Sequence, residues 1–336
     1  MSAAAKPRVL VARAVFEEVL DQLAQHFEVQ HNQTDELWSQ DDLIRHLQGI
    51  DGVFVTGTEA IDERLLAACP QLRAVCSMAV GYNNIDVPAC SARGVLVSNA
   101  PDVLTETTAD FGFALMMATA RRICESEHFL RAGRWTRWGH DMFAGSDVHG
   151  ATLGILGMGR IGQAIARRGA LGFGMPVLYH NRSRLPPDIE TALGARYVSK
   201  DDLLQQSDHL VLVLPYSPAA HHAIGAAELA LMKPSATLTN IARGGIVDDA
   251  ALAQALRERR VAAAGLDVFE GEPVVHPELL ALPNVVLTPH IASASLPTRR
   301  AMARLAADNL IAALGFGPFA GRPPTALNSN VLAAQG

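Results

Sequence analysis

Three charged side chains stand where short apolar runs end: Arg243 after 237–241, Glu272 beyond 262–267, and His290 after 285–288. Their types divide one piece of chemistry among them. A guanidinium fork holds a carboxylate and polarises a carbonyl next to it, which suits Arg243. An imidazole titrates near neutrality and can hand a proton to an alkoxide as it forms, which suits His290. A carboxylate beside that ring favours the imidazolium and fixes its orientation, a task for Glu272. Taken singly, each residue has a plainer reading as a surface ion pair or a loop side chain. Carried together at successive strand ends, the three types favour acid catalysis on a 2-keto acid. Metal is not expected: no cysteine or histidine pair stands at ligand spacing near His290, and the adjacent His221 and His222 should point apart.

Such chemistry needs a hydride source, and residues 151–184 offer a seat for one. An apolar run at 153–156 leads into Gly157-Met158-Gly159-Arg160-Ile161-Gly162, after which Ile161, Ala164 and Ile165 share one helical face. In a strand, turn and helix of this kind, Gly157 allows the tight turn, Gly159 lets the backbone approach a pyrophosphate, and Gly162 lets the helix pack on its strand. The helix start presents unpaired N–H groups to the phosphates. A glycine-rich turn with no ligand is the bland alternative, and the second apolar run at 176–179 argues against it. That run ends in His180-Asn181-Arg182-Ser183-Arg184, with no acid to bond the ribose hydroxyls of NAD and repel a 2′-phosphate. Arg182, Ser183 and Arg184 bring the donors a 2′-phosphate needs, so NADPH (NADP+) is expected in preference to NADH, with NADH as the second cofactor. The alternative is that both arginines are solvated surface charges.

The elements that must position these groups are legible as an alternation. From residue 7 onward, short apolar strands alternate with amphipathic helices, the pattern of an α/β chain. It predicts two doubly wound parallel-sheet domains: a Rossmann-type cofactor domain over 101–294, and a flavodoxin-like substrate domain built discontinuously from 1–100 and 295–336. In the latter, Val80 and Gly81 end a strand at 74–80, where backbone N–H groups can hold a small anion; a plain turn is the alternative. Over 104–122 a helix apolar on all faces should be buried, with Thr105, Thr107 and Thr108 placed to cap it. Trp135, Trp138 and Phe143, outside any such pattern, should pack on a neighbour, and a homodimer is expected.

At 336 residues the chain can bury two cores, and 49% hydrophobic with 18% charged residues is an ordinary globular balance. A net charge of −6 without a basic run argues against nucleic acid as a partner. The start lacks the apolar core of a signal peptide, and the longest apolar stretch, 111–120, is too short to span a bilayer, so no membrane partner is expected. Cys69, Cys76, Cys90 and Cys124 form no C-x-x-C and read as free thiols of a cytoplasmic protein.

Over nearly its full length the chain resembles the D-isomer-specific 2-hydroxyacid dehydrogenases. The residues that carry the likeness are Val80-Gly81, 105–110, the glycine turn, Asn240-Ile241-Ala242-Arg243-Gly244, Gly265-Leu266-Asp267-Val268-Phe269, Glu272-Pro273 and Pro289-His290, in the family's order. Gly133-Arg134-Trp135-Thr136 and Tyr179-His180-Asn181-Arg182 look most like its glyoxylate/hydroxypyruvate reductase and 2-ketogluconate reductase branch. The resemblance implies Arg243 as substrate anchor, Glu272 as partner and His290 as proton donor, with Val80 and Gly81 amides on the substrate carboxylate. It also implies cofactor contacts from Thr108, Arg160, Ile161, Arg182, Ser183, Pro215, Ile241 and Asp267, a discontinuous substrate domain and a homodimer. Val213 departs from the His or Asn of many relatives, and His180 stands where NAD-using members carry an acid. Glu272, where formate dehydrogenases resembling the family have Gln, argues against that activity. A second reading, a dinucleotide-sensing binding protein like the corepressor relatives of this fold, would keep the glycine turn and need no turnover.

Overall fold

Val9-Leu10-Val11, Val53-Phe54-Val55 and Leu153 to Leu156 are short apolar runs without polar alternation, as strands buried on both faces require. In the computed structural model, which describes residues 5–333, they lie at the centres of two parallel sheets in two separate α/β units. One unit runs to Leu104 and resumes at Ser295; the other is Thr105–Ala294.

The first unit carries β1 (Arg8–Val11), β2 (Glu28–His31), β3 (Gly52–Val55), β4 (Ala74–Ser77) and β5 (Leu96–Ser98) in the order β2-β1-β3-β4-β5. All its pairs are parallel. That is the flavodoxin-like order. The helix Leu296–Ala313 packs on β3 and β4 of this sheet. Beyond it the chain is pinned to β5 by Asn328, whose amide oxygen accepts from Val97 N at 2.7 Å while its nitrogen donates to Val95 O at 2.9 Å.

The second unit carries β6 (Leu153–Leu156), β7 (Val177–His180), β8 (Ala195–Tyr197), β9 (His209–Leu212), β10 (Thr237–Asn240), β11 (Ala263–Leu266) and β12 (Val285–Leu287). Their order, β12-β11-β10-β9-β6-β7-β8, is parallel throughout. Read from β8, it repeats the 3-2-1-4-5-6 order of dinucleotide-binding sheets with β12 added at the edge, and the direction of winding reverses between β6 and β9. Ligands of such sheets bind beyond the carboxyl ends of the strands at that reversal.

The apolar helix is Thr105–Ala120, and it packs on β10 and β11. Glycine at 265 makes the approach close: a Cβ there would lie 2.9 Å from Leu115 Cγ. Because the helix is Thr105–Ala120, Thr105, Thr107 and Thr108 all lie inside it and none precedes it as a cap, which corrects the capping expectation. The chain turns at Arg122 (φ 53°) into a second helix, Ile123–Arg131, that the sequence reading passes over and that buries none of its residues. The helix Pro187–Leu193 and strand β8 are likewise absent from that reading. The four cysteines are free thiols; burial pushes Cys76 and Cys90 up to about 12, far from a reactive thiolate.

Candidate active site

The glycine turn after β6 is built by contacts that only glycine permits. At Gly157 φ is 102°, and a Cβ there would lie 2.7 Å from Leu214 N, against the chain leaving β9. A Cβ on Gly162 would overlap the Gly157 carbonyl oxygen and meet Ile155 Cγ2 at 3.3 Å, so the helix Arg160–Arg167 rests directly on β6. Above Gly159 a Cβ would meet nothing within 4 Å. The open side of the turn is therefore backbone, capped by the first N–H groups of a helix with Arg160 and Ile161 in its first turn, and it fits a pyrophosphate. Thr108 fits the same use: its hydroxyl is buried and has no partner among the described residues.

At the end of β7 the chain 181–185 is fixed from both sides. Asn181 Oδ1 accepts from Met158 N at 2.7 Å, tying the loop to the glycine turn. Arg184 forks onto Glu190 at 2.9 and 2.7 Å, and the same carboxylate accepts from the Tyr179 hydroxyl at 2.6 Å. Burial and Glu190 push that phenol up to about 12, so it remains a donor, while Arg184 and Tyr179 hold the Glu190 carboxyl below its usual value. Arg184 is thus committed to Glu190, and its fork is not open to a 2′-phosphate as the sequence suggests. Arg182 and Ser183 remain, exposed between the anchored ends and without side-chain partners among the described residues. His180 turns aside: Nδ1 pairs with Val198 O at 2.9 Å and the ring stacks on Tyr197.

The ends of β10, β11 and β12 bring the three charged groups into one cluster. His290 Nδ1 and Glu272 Oε2 are 2.7 Å apart, and Glu272 Oε1 accepts from Phe269 N at 2.9 Å. Burial raises the Glu272 carboxyl, but the His290 bond and charge, the Phe269 N–H and the Arg243 charge outweigh it and leave the group below its usual range. For Arg243, burial pulls the guanidinium below its ordinary value and the Glu272 charge pulls it back. Its loop is folded by Asn240, whose Oδ1 accepts from Ala242 N at 3.0 Å, and Arg243 Nη1 donates to Ala242 O at 2.7 Å.

His290 itself sits at φ 53°, left-handed backbone that costs a side-chain residue about 1–3 kcal/mol. Asp267 holds it there. Fully buried, this carboxylate accepts from Thr288 Oγ1 at 2.7 Å and from Ile291 N and Ala292 N at 2.8 Å each, on both sides of the histidine. Three hydrogen bonds to a charged group, each contributing about 1.5–3 kcal/mol, act against both that strain and the cost of burying the carboxylate. Burial pushes the Asp267 carboxyl up despite those bonds.

Of the other residues singled out in the sequence, Pro215 is exposed in the loop after β9 and Ile241 is buried in the core. In the first unit, Val80 and Gly81 follow β4, and their N–H groups donate to nothing in the described chain, while Asn99 holds the Val80 carbonyl at 2.7 Å. The adjacent histidines do not point apart. With His222 at φ 50°, the two rings stack at 3.9 Å and both face Glu270. Sequence reasoning misses Asn181, Glu190 and Asn240 as positioning groups. Only Asn240 carries a local signal, an amide at a strand end before a glycine turn.

A model of the NAD binding domain of the D-isomer specific 2-hydroxyacid dehydrogenases matches residues 113–292. A glyoxylate reductase of Thermococcus onnurineus is 47% identical over 331 residues, 97% of each chain, and one of Korarchaeum cryptofilum is 47% identical over 309 residues, 91% of this chain and 92% of its own. The crystal structure of an NADPH-dependent glyoxylate/hydroxypyruvate reductase from Sinorhizobium meliloti, in complex with NADP and malonate, matches with a TM-score of 0.85 at 37% identity, covering 97% of this chain and 98% of that one.

Proposed function

The chain belongs to the D-isomer specific 2-hydroxyacid dehydrogenases, NAD(P)-dependent oxidoreductases, and from that premise we propose that it is an NADPH-preferring reductase of small 2-keto acids, working as a homodimer. Glyoxylate and hydroxypyruvate, named for the relatives, are the first substrates to test, with 2-ketogluconate the third. The observation that carries the reading is the 2.7 Å contact of His290 with Glu272 in a cluster that includes the Arg243 charge. The glycine turn, Thr108 and the 182–183 loop hold the dinucleotide, which supplies a hydride when bound. Arg243 takes the substrate carboxylate and polarises the neighbouring carbonyl. With Nδ1 engaged by Glu272, His290 gives its proton from Nε2 to the oxygen that becomes the D-2-hydroxyl. Glu272 holds the ring oriented, and Asp267 holds the backbone from which it projects. The free N–H pair at Val80 and Gly81 suits a small carboxylate. Arg182 and Ser183, with no acid beside them, support the preference for a 2′-phosphate.

NADPH oxidation followed at its absorbance band with the three keto acids tests the reading. His290→Ala should lower turnover by about 100- to 10,000-fold while NADPH still binds. Turnover by the wild type with none of the three acids, together with NADPH binding, would support the dinucleotide-sensing alternative. Retained turnover in His290→Ala would remove the histidine as proton donor.

A further inference from the structure

We propose that His221, His222 and Glu270 form a binding site for one divalent transition-metal ion of the zinc type. Among the described residues these three offer ligand atoms that all lie within 4.8 Å of one another. His222 Nε2 is 2.9 Å from Glu270 Oε2, and His221 Nε2 is 3.8 Å from Oε1 of the same carboxylate. Two histidines and a glutamate make a ligand set that zinc takes readily, with a fourth position left for water, and imidazole nitrogen selects such ions over magnesium or calcium. The side chains are about two-fifths exposed, so an ion has an entry path.

The backbone and the surrounding groups argue for more than a chance pair of histidines. Consecutive residues in extended chain aim their side chains apart, and it is the left-handed conformation of His222 that swings both rings to the same side. Ligating histidines usually present their second nitrogen to an oxygen that fixes the ring. Here His222 Nδ1 lies 3.9 Å from Asp248 Oδ2, and His221 Nδ1 lies 3.3 Å from the Tyr216 hydroxyl. Each imidazole therefore turns a nitrogen toward Glu270; behind it His221 has a hydrogen-bond partner in Tyr216, while Asp248 stands near His222 without bonding to it. Tetrahedral zinc needs its ligand atoms about 3.3 Å apart, so loading requires the stacked rings to open and turn their lone pairs inward, a movement their exposure permits. Glu270 shares the turn that begins at Phe269 with Glu272, so an ion at this site ties the proton donor's partner loop to the loop after β9.

Zinc titration of the full, cofactor-free protein at pH 7.5, in competition with a chromophoric chelator, tests the proposal. Absorption of the cobalt(II) form reports the geometry. One equivalent should bind with low-micromolar affinity, should not be displaced by millimolar magnesium, and should raise the unfolding temperature. His222→Gln and Glu270→Gln should each weaken binding at least tenfold, because each removes one ligand atom. The exposed His221→Gln gives the same readout if either of the first two fails to fold. Wild-type binding no tighter than 100 µM would overturn the site. So would binding that persists in His222→Gln and Glu270→Gln, or that is lost in Cys124→Ser alone.

Discussion

A carboxylate 2.7 Å from an imidazole nitrogen fixes which ring face and which nitrogen meet a substrate. Glu272→Gln keeps the shape and removes the charge. A charge-assisted bond is worth about 1.5–3 kcal/mol, so reductase kcat should fall roughly 10- to 100-fold, with substrate KM moving less. The variant also has a pH signature. Because the folded state holds the Glu272 carboxyl below its unfolded value, the pair's contribution to stability is complete above about pH 4.3 and is lost as pH falls through the lowered value. The unfolding temperatures of wild type and Glu272→Gln should therefore differ at pH 7 and converge only as the pH falls through the lowered value of the folded carboxyl; a constant difference would break the link. At the other end of the cofactor, Arg182→Ala should weaken NADPH by about tenfold and leave NADH nearly unchanged, since Arg184 is already committed to Glu190. Equal losses for both cofactors would assign Arg182 another role.

At the level of elements, the reacting groups depend on how closely neighbouring loops pass. Gly244 follows Arg243, and a Cβ there would overlap the carbonyl oxygen of Phe269, at the start of the turn that carries Glu272. Gly244→Ala must push the Arg243 loop and the Glu272 turn apart. A displacement near 1 Å costs on the order of 100-fold in rate, so kcat/KM should drop by about that much while NADPH affinity, which the proposed function assigns to the ends of β6 and β7, holds. Near-wild-type kcat/KM would mean that the two loops need no fixed spacing. The same level explains what the sequence discloses and what it hides. Gly157, Gly159 and Gly162 state their contacts in their spacing, and apolar runs such as 153–156 state the strands, because both depend on local geometry. Asn181 bonding Met158, Glu190 gathering Arg184 and Tyr179, and Asp267 bracing His290 depend on chain neighbours 6 to 25 residues away and on loop conformation, and no periodicity or motif encodes them. The stacked histidines fail for a related reason: their common direction rests on one left-handed residue that the sequence does not announce.

For the whole molecule, the unresolved economy is apolar surface. The helix Ile123–Arg131 buries none of its residues, and beyond it Trp135 is 55% and Trp138 77% exposed. Phe143, expected to face a neighbour with them, packs instead on Phe129 with ring centroids 5.2 Å apart, under the Arg122 guanidinium. That internal packing leaves the two indoles outward, together with Ile123 and Leu130 of the preceding helix. Aromatic side chains presented this way are the usual anchors of a protein interface, and a stable one covers roughly 800 Å² on each partner. A second copy of this chain, offering the same segment, is the occupant that closed two-fold symmetry favours. Light scattering on the purified protein at micromolar concentration should give twice the chain mass. Trp135→Glu with Trp138→Glu should shift it toward a monomer by placing two desolvated charges in the contact, and should lower the unfolding temperature in a concentration-dependent way. A monomeric wild type, or a double variant that stays dimeric, would show that these indoles serve some other contact.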